Sequence, residues 1–435
     1  MATYYIDANN GSNTNDGLSE QTPLQNDREL ALTLKPGDTV LFKRGTFIRD
    51  HLHNVCGEEG NPITYASYGE GEQPIFCGSV DLSDVSLWRQ EEPNLWVCDS
   101  LELEAGNLVF NHGTHCGTLR WEKKDLCEQG DFYDNCFGLT HKKKTLLPDH
   151  ALYLYSEKNP GEYYEQIECV VFRENWALAS NGHDMNFIGL TFINQLHGIA
   201  GDGASRNLII KNCIFSHIGG CVWSEEKRIR YGNAVETWDI GDHIEISYCI
   251  FNEIYDSGVT HQGGPNCQPS DGFICHHCLF IKCGMGAYEQ RDKLPIFGQF
   301  NHNTCVDAGL GFSIQGEELP RYSEIWPEPM GHHIFLWRIP QGTEGGCLEI
   351  KNNIFCNAPI GAAIYSIISK EAEDQTIISG NRYYTENTEL LNRWNEINYQ
   401  KFEDYQEDGA VYEVMNKDEI IQAALMEIKQ EETRF

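Results

Sequence analysis

Acidic residues recur at matching places in short, similar segments of this 435-residue chain. Glu236 lies in "YGNAVETWD", Asp256 in "EIYDSGVTHQ" and Glu289 in "GAYEQRDK". Hydrolysis of a glycosidic bond needs two carboxyl groups, about 5 Å apart for retention of configuration and about 6.5–9.5 Å apart for inversion. We therefore predict Glu236 as one catalytic carboxylate, with either Glu289 or Asp256 as its partner.

Residues suited to holding a sugar surround these acids in the sequence. Aromatic rings stack on the apolar faces of sugars, and amides form hydrogen bonds with sugar hydroxyl groups. An arginine beside the acids would lower the pKa of a carboxylate or bind an acidic sugar. The predicted substrate-binding residues are Arg230, Tyr231, Trp238, His261, Gln262, Tyr288, Arg291 and Trp337.

Basic residues near the acids also support a different reaction. A lyase that cleaves a uronate-containing chain by β-elimination needs a cation to neutralise the uronate and a base to take the neighbouring proton. Such a cation could come from Arg230, Arg291, Lys227, Arg228 or Lys293. We favour a glycoside hydrolase acting on an oligo- or polysaccharide, and the lyase and a non-catalytic glycan-binding solenoid stay open as alternatives.

The elements that must position these residues are repeated along the chain. The copies read "NLIIKNCIFSHIGG", "HIEISYCIFNEIYDSGV", "GFICHHCLFIKCGMGAY", "FGQFNHNTCVDAGLGF" and "CLEIKNNIFCNAPIGAA". Their spacing is roughly 25 to 30 residues where no insertion intervenes, which is typical of a solenoid. The runs are short, rich in β-branched residues and alternating, so the repeating unit consists of strands. We predict an all-β fold, a right-handed parallel β-helix.

Equivalent residues of the copies should form columns along the stacked coils. One column holds Ile214, Ile250, Leu279, Thr304 and Ile354, and its neighbour holds Cys213, Cys249, Cys278, Asn303 and Asn353. A second strand of each coil should turn inward Val235, Val259, Ala287, Phe312 and Ala363.

The second strand raises a question of register. Strict alternation from Ala287 turns Tyr288 outward and Glu289 inward, and an unpaired buried glutamate is costly. We therefore favour a slip by one residue, which turns Tyr288 inward and aligns Glu289 with Glu236. These two acids would then lie two coils apart, about 9.5 Å, which suits inversion.

Motifs near the N-terminus resemble the start of a known family. They are a loop with Asn15, Asp16, Gly17, Ser19 and Pro23, then Pro36, Gly37 and Asp38, then Tyr68, Gly69 and Gly71. This pattern resembles right-handed parallel β-helix carbohydrate-active proteins of the pectate-lyase-like superfamily. The run from Tyr231 to Trp238 resembles segments of β-helix proteins from polysaccharide-degrading bacteria. The resemblance implies the fold and a glycan-active role, but no particular reaction, because this fold hosts several.

The chain divides into four predicted regions. Residues 1–79 form an N-terminal cap helix and the first coils, and residues 80–168 form an inserted β-rich lobe. Residues 169–385 form the main β-helix, and residues 386–435 form a helical tail whose best helix is capped by Asn416. The resemblance implies that such a lobe walls one end of a substrate groove.

The composition limits the partners. A net charge of −33 argues against nucleic acid, and more mildly against a polyanionic polymer unless Ca²⁺ or a basic patch intervenes. No apolar run reaches the length of a membrane span. The N-terminus lacks a signal-peptide pattern, so we expect a cytoplasmic protein, or a secreted one whose signal peptide has been removed.

Cysteine usage and the acid-rich loops bear on cofactors. The 17 cysteines are predicted to be mostly buried, reduced thiols. The "CHHC" run from Cys275 to Cys278 has metal-ligand spacing, but only one such pair is present and Cys278 already belongs to a repeat column. We therefore expect no cofactor or metal. Ca²⁺ stays compatible with the acidic loops, although no spaced aspartate motif is present.

Overall fold

The chain folds into a right-handed parallel β-helix, which confirms the predicted fold class. The computed structural model describes residues 1–173, 182–201, 205–239, 241–263, 267–314, 330–386 and 390–433. Three long parallel sheets form the walls of the solenoid, and neighbouring strands of each sheet come from successive coils. One apolar core runs between the sheets from Ile6 to Leu391.

The strands of the three sheets pair in chain order. The first sheet contains Thr3–Ile6, Thr39–Lys43, Ile63–Tyr68, His183–Ile188, Ser205–Lys211, Gly241–Ser247, Asp271–His276, Phe297–Asn301, Leu348–Lys351 and Thr376–Ser379. The second contains Phe47–Ile48, Ile75–Cys77, Thr191–Ile193, Ile214–Ile218, Ile250–Ile254, Leu279–Ile281, Thr304–Val306, Ile354–Cys356, Arg382–Tyr384 and Val411–Tyr412. The third contains Ile199–Gly201, Val235–Trp238, Ser257–Gln262, Gly286–Arg291, His332–Ile339, Ile364–Ile368, Asn392–Trp394 and Ile397–Tyr399.

The predicted cysteine and asparagine column forms the corner between the first and second sheets. Each of these side chains accepts a hydrogen bond from the backbone N–H at the same corner of the preceding coil. Asn303 Oδ1 lies 3.0 Å from the N–H nitrogen of Cys278, and Asn353 Oδ1 lies 2.9 Å from that of Asn303. Asn381 Oδ1 accepts from the N–H of Asn353 at 2.8 Å, and Cys278 Sγ accepts from the N–H of Cys249 at 3.4 Å. The residues just before these corners have positive φ: Tyr248, His277, His302 and Asn352.

Two columns of the second sheet face opposite ways. Phe215, Phe251 and Phe280 stack inside the core, with ring centroids 5.1 and 4.5 Å apart. The predicted column that contains Ile250 and Leu279 pairs as expected, but it faces outward and is covered by a C-terminal helix. Alternation therefore places one apolar row in the core and the other beneath the helix.

The third sheet corrects part of the predicted register. Its inward column is Val235, Val259, Tyr288, Ile334 and Ile364. The predicted column had Ala287 and Ala363 in the places of Tyr288 and Ile364, one residue too early in each strand, although both alanines also lie in the core. Phe312 lies in a 3₁₀ turn, Phe312–Ile314. The next strand is His332–Ile339, which was not predicted as part of the repeat, because its alternating "HHIFLWRI" follows a long interruption of the repeat. Residues 315–329 of that interruption lie outside the described residues.

Residues 80–171 form a lobe with its own core beside the solenoid. One sheet of the lobe contains His115–Cys116, Ala105–Phe110, Ile167–Val171 and Val80–Asp81. The other contains Thr118–Leu119, Asp131–Asp134, Leu152–Tyr155, Leu95–Cys98 and Arg89–Glu92. A hairpin, Cys221–Ser224 and Ile229–Tyr231, extends from the solenoid towards the lobe.

Short helices lie between the strands, and one long helix follows the last coil. The α-helices are Arg28–Ala31, Pro160–Tyr163, Lys370–Asp374 and Lys417–Glu432, and the 3₁₀ turns besides Phe312–Ile314 are Val85–Leu87, Asn111–Gly113, Lys123–Asp125 and Phe402–Asp404. As predicted, Asn416 caps the long helix, because its side chain accepts from the N–H groups of Asp418 and Glu419. Within the described residues, no helix has the length and apolar character needed to cross a membrane.

The long helix lies along the second sheet and is fixed by ion pairs at both ends. Lys417 Nζ lies 3.1 Å from Asp307 Oδ1. At the other end Lys211 Nζ lies 2.9 Å from Glu431 Oε1, and an Arg44 guanidinium nitrogen lies 2.6 Å from Glu432 Oε1. The helix thereby connects late coils to the first ones.

Candidate active site

A cavity of about 570 Å³ opens on the outer face of the third sheet. The solenoid strands supply its floor, the hairpin Cys221–Ser224 and Ile229–Tyr231 supplies one side, and the lobe contributes His141. Its lining includes nine of the eleven residues predicted from the sequence: Arg230, Tyr231, Glu236, Trp238, Asp256, Gln262, Glu289, Arg291 and Trp337.

The strand register explains why the acids share this face. Glu236 pairs with Thr260, and Thr260 pairs with Glu289 in the next coil. The one-residue slip favoured in the sequence analysis is therefore present, and Glu236 and Glu289 lie in one outward column, two coils apart. Two residues further along the strands, Trp238 pairs with Gln262, and Arg291 pairs with Trp337. Alternation brings both rows to the cavity floor.

Glu289 is a fully buried carboxyl group on the cavity floor. Trp337 Nε1 donates to its Oε1 at 2.7 Å, and the Thr260 hydroxyl donates to its Oε2 at 2.8 Å. Burial raises the pKa of Glu289, and the neighbouring carboxylate of Asp256 adds to this rise. The charge of Arg291 and the two hydrogen bonds oppose the shift without cancelling it. The site therefore favours a protonated Glu289 at a higher pH than an ordinary glutamate.

Glu236 is more open to the cavity, with 13% of its side chain exposed. Asn233 Nδ2 donates to its Oε2 at 2.9 Å, and His197 Nδ1 lies 3.3 Å from the same oxygen. The backbone N–H of Asn233 also points at His197 Nδ1, at 3.2 Å. His197 was not among the residues predicted from the sequence, although "QLHGIAG" belongs to the coil just before that of Glu236. The two acids thus differ in environment, because one is buried and the other faces the cavity.

Asp256 lies at the corner that precedes the strand Ser257–Gln262. Its Oδ2 accepts from the backbone N–H of Gly232 at 2.8 Å, and its own N–H donates to the Gly232 carbonyl at 3.1 Å. Gly232 has φ of 139° and its Cα lies against Gly219, so a side chain at this position would collide with backbone. Asp256 therefore fixes the backbone beside the cavity and places a negative charge near Glu289.

Two of the arginines that line the cavity, Arg291 and Arg230, have different surroundings. The Arg291 guanidinium carbon lies 5.6 Å from the Trp238 ring centroid and 5.5 Å from that of Trp337. Arg230 is buried, donates to the carbonyls of Gly220 at 2.8 Å and Gly106 at 3.1 Å, and lies over a tyrosine ring. In the part of the chain that the structure describes, no carboxylate forms an ion pair with Arg230. The cavity therefore has a cation whose charge is neutralised by no carboxylate among those residues.

Two predicted binding residues, Tyr288 and His261, do not reach the cavity. Tyr288 faces the core, where its ring lies between Phe273 and Phe300 at 5.4 and 5.3 Å, because the register slip turns it inward. His261 also has inward parity, and its Nδ1 lies 2.7 Å from the Thr237 hydroxyl. Burial lowers the pKa of His261 to about 4. The assignment of these two residues to substrate binding is therefore corrected.

The cavity also has lining residues that the sequence analysis did not identify. His141 comes from the lobe, Trp223 from the hairpin, and Met285 and Met330 from corners of the solenoid. His141 lies against the rings of Trp223 and Tyr231, at 5.4 and 5.7 Å. Nothing in the spacing of the lobe sequence indicated that His141 approaches the repeat, because the lobe breaks the periodicity that aligns the coils.

Comparison with known proteins supports the fold. No protein-family model and no curated protein sequence matches this chain. Among solved structures, the complex of XylC with xylose superposes with a TM-score of 0.52 at 11% identity, covering 95% of this chain and 86% of that one. Pectate lyase Pel9A gives 0.46 at 12% identity, covering 96% and 78%. GH136 lacto-N-biosidase from Eubacterium ramulus gives 0.45 at 12% identity, covering 95% and 67%. At these identities the likeness shows the parallel β-helix fold.

Proposed function

We propose that this protein is a glycoside hydrolase that inverts configuration, with Glu289 as general acid and Glu236 as general base. The observation that carries the proposal is the outward column that holds both acids two coils apart. The strand spacing places their backbones about 9.5 Å apart, at the upper end of the range for inverting enzymes. The named activities of the structurally similar proteins, which include glycoside hydrolases and lyases, are consistent with a carbohydrate substrate.

Each acid has the environment that its role requires. Burial raises the pKa of Glu289 and so favours its protonated form, which would donate the proton to the glycosidic oxygen as the bond breaks. Glu236 is open to the cavity and would take a proton from the attacking water on the opposite side of the sugar. Asn233 holds one oxygen of Glu236 at 2.9 Å, which leaves the other for the water.

The row that contains Trp238, Arg291 and Trp337 would form the sugar-binding surface. Indole rings present apolar area to the C–H faces of a sugar, and the Arg291 guanidinium group lies close to both rings. Trp337 also donates to Glu289, so the residue that contacts the sugar would also orient the acid. Gln262 belongs to the same row, where it pairs with Trp238, and can bond hydroxyl groups.

The test is to incubate the purified protein with neutral and uronate-containing glycans and to identify products by mass spectrometry. Hydrolysis gives products that carry one added water at the break. Glu289→Gln and Glu236→Gln should each lower turnover by about 100-fold or more while binding survives. Glu245→Gln, on the outer face of the first sheet, is the matched control and should retain activity. Full turnover by Glu289→Gln would refute the assignment of the acid.

The stereochemistry of the product separates the two candidate partners of Glu236. If Glu289 is the partner, NMR of the first product should show the inverted anomer. If Asp256 is the partner, the acids belong to adjacent coils, about 4.8 Å apart, which suits retention. A retained anomer would therefore reassign the pair to Glu236 and Asp256.

Arg230 favours a second candidate function, a lyase that acts on uronates by β-elimination. A buried guanidinium that is paired with no described carboxylate could neutralise the carboxylate of a bound sugar. The lyase would yield products with an unsaturated end and no added water, and Arg230→Gln would abolish their formation. The lyase assay should be run with added Ca²⁺ and with a chelator, because the net charge of −33 opposes binding of an anionic polymer. Binding without any product would indicate a non-catalytic solenoid.

A further inference from the structure

The lobe contains a compact group of metal-ligating side chains that the proposed reaction does not use. Asp134 ends the strand Asp131–Asp134, Cys136 follows two residues later, and His150 lies just before the strand Leu152–Tyr155. One ligand atom from each residue lies within 4.8 Å of the other two. All three side chains are buried, with exposed fractions of 0%, 1% and 9%.

The hydrogen bonds of His150 orient its ring as in a metal-binding histidine. Its Nδ1 lies 2.9 Å from the Leu101 carbonyl oxygen, which can only accept, so Nδ1 carries the hydrogen. The other nitrogen, Nε2, faces Asp134 Oδ2 at 2.9 Å. Metal-binding histidines typically donate their second ring N–H to a backbone carbonyl or a carboxylate, which directs the remaining nitrogen at the ion. The Leu101 carbonyl provides this support from outside the cluster.

Asp134 is held in place by the backbone. Its Oδ1 accepts from the N–H of Cys136 at 2.7 Å, and its Oδ2 accepts from the N–H of Ala105 at 2.9 Å. These bonds fix the plane of the carboxylate relative to the imidazole. The Cys136 sulfur also has a backbone neighbour, since the N–H of Leu147 points at it from 3.4 Å. The three ligand atoms are thus pre-positioned by backbone groups rather than by one another alone.

We propose that Asp134, Cys136 and His150 bind one divalent transition-metal ion of the zinc class. A thiolate, an imidazole and a carboxylate are donors that zinc prefers, whereas Ca²⁺ and Mg²⁺ prefer oxygen ligands. Three protein ligands leave a fourth position for a water molecule. Without an ion, Nε2 would donate to Asp134 in a salt bridge in which the Cys136 thiol takes no part.

The site would close a loop that reaches the cavity. Cys136 and His150 lie at the two ends of one connecting segment, and Glu104 holds its interior by accepting from the N–H groups of Gly138 and Thr140 at 2.7 and 3.1 Å. The same segment carries His141 to the cavity wall. An ion that bridges the loop base would therefore fix the position of His141 without contacting the sugar.

The experiment uses the full chain, prepared free of metal and titrated with Co²⁺ and then with Zn²⁺. We expect one Co²⁺ per chain with a thiolate-to-metal charge-transfer band, displacement of Co²⁺ by Zn²⁺, and a rise in thermal midpoint on Zn²⁺ addition. Cys136→Ser should lose the band, and His150→Gln should lose tight binding. Cys127→Ser removes an exposed lobe cysteine outside the cluster and should leave the spectrum unchanged.

Two results would overturn the proposal, and the first needs no variant. Folded wild-type chain that binds no Co²⁺ or Zn²⁺ beyond a buffer blank would refute it even if both variants failed to fold. If an ion binds without a thiolate band and this binding is lost in His51→Gln, the ion lies instead at a second histidine-containing group among the described residues, Asp50, His51 and His53. Circular dichroism shows whether each variant is folded, so that a band lost from a folded variant can be assigned to the lost ligand.

Discussion

The asparagine ladder at the solenoid corner gives a stability prediction that can be worked from individual hydrogen bonds. Asn353 Oδ1 accepts from the N–H of Asn303 at 2.9 Å, and its Nδ2 donates to the Phe300 carbonyl at 2.9 Å. Both backbone groups are buried, and the substitution Asn353→Ala would leave them without these partners. An unsatisfied buried polar group costs about 1–3 kcal/mol, so the pair should cost about 2–6 kcal/mol.

Cysteine offers a matched comparison at the same position, because earlier coils already use it. Cys278 Sγ accepts from the N–H of Cys249 at 3.4 Å and lies 3.3 Å from the His276 carbonyl oxygen. We therefore expect Asn353→Cys to recover part of the stability that Asn353→Ala loses. Asn398, which is exposed, provides the control substitution Asn398→Ala, with an expected change within about 0.5 kcal/mol.

The assay is urea unfolding followed by tryptophan fluorescence and circular dichroism, with the midpoint compared among the four proteins. The expected order of stability is wild type and Asn398→Ala, then Asn353→Cys, then Asn353→Ala. Equal midpoints for Asn353→Ala and wild type would show that the ladder contributes no net stability. Asn353→Cys no more stable than Asn353→Ala would refute the idea that cysteine and asparagine serve the same purpose at this corner.

Three further outcomes follow from the buried titratable groups. If Glu289 is the general acid, kcat should fall as pH rises through its raised pKa, and a profile without this alkaline decline would remove it from that role. Burial lowers the pKa of His333 to about 3, so its neutral form stabilises the fold above about pH 6.5 and this stability is lost as pH falls towards 3. His333→Phe should flatten the acid side of a plot of thermal midpoint against pH, and an unchanged slope would contradict the reasoning. Burial raises the pKa values of thiols such as Cys213 and Cys249 well above the usual range. A thiol reagent should therefore modify exposed Cys127 quickly and reach the buried thiols only when the protein unfolds. Rapid modification of Cys213 in the folded protein would contradict this prediction.

The sequence predicted the repeating part of the molecule well, because stacking forces equivalent residues into columns. The corner column from Cys213 to Asn353 followed from the alignment of the repeats, and the outward alignment of Glu236 with Glu289 followed from alternation and the cost of burying a charge. The strand His332–Ile339 was missed, because a long interruption separates it from its coil. Because of this omission Phe312, which lies in a 3₁₀ turn, was predicted in the place that Ile334 occupies in the inward column.

The arrangement of the candidate site could be predicted only where it is built from repeats. Glu289 was aligned with Glu236 through the repeat, whereas Trp337 was predicted from its residue type, because its strand was not recognised. Arg230 was identified by its charge, but its burial against two backbone carbonyls depends on how the hairpin packs on the lobe. His141 comes from outside the repeat, where no period relates its position to the coils, so only the folded structure shows its approach to the cavity.

The long helix Lys417–Glu432 affects how the solenoid should fold and unfold. A solenoid of independent coils can fray from either end, since each coil contacts only its neighbours. Here a helix about 24 Å long forms ion pairs with Asp307 at one end and with Arg44 at the other. The early coils are therefore held by a segment that the ribosome makes after them. Until that helix emerges during synthesis, the row containing Ile250 and Leu279 lacks its cover and exposes apolar surface. The nascent solenoid therefore passes through a stage in which it depends on protection, and docking of the helix ends that stage by joining the coils into one cooperative unit.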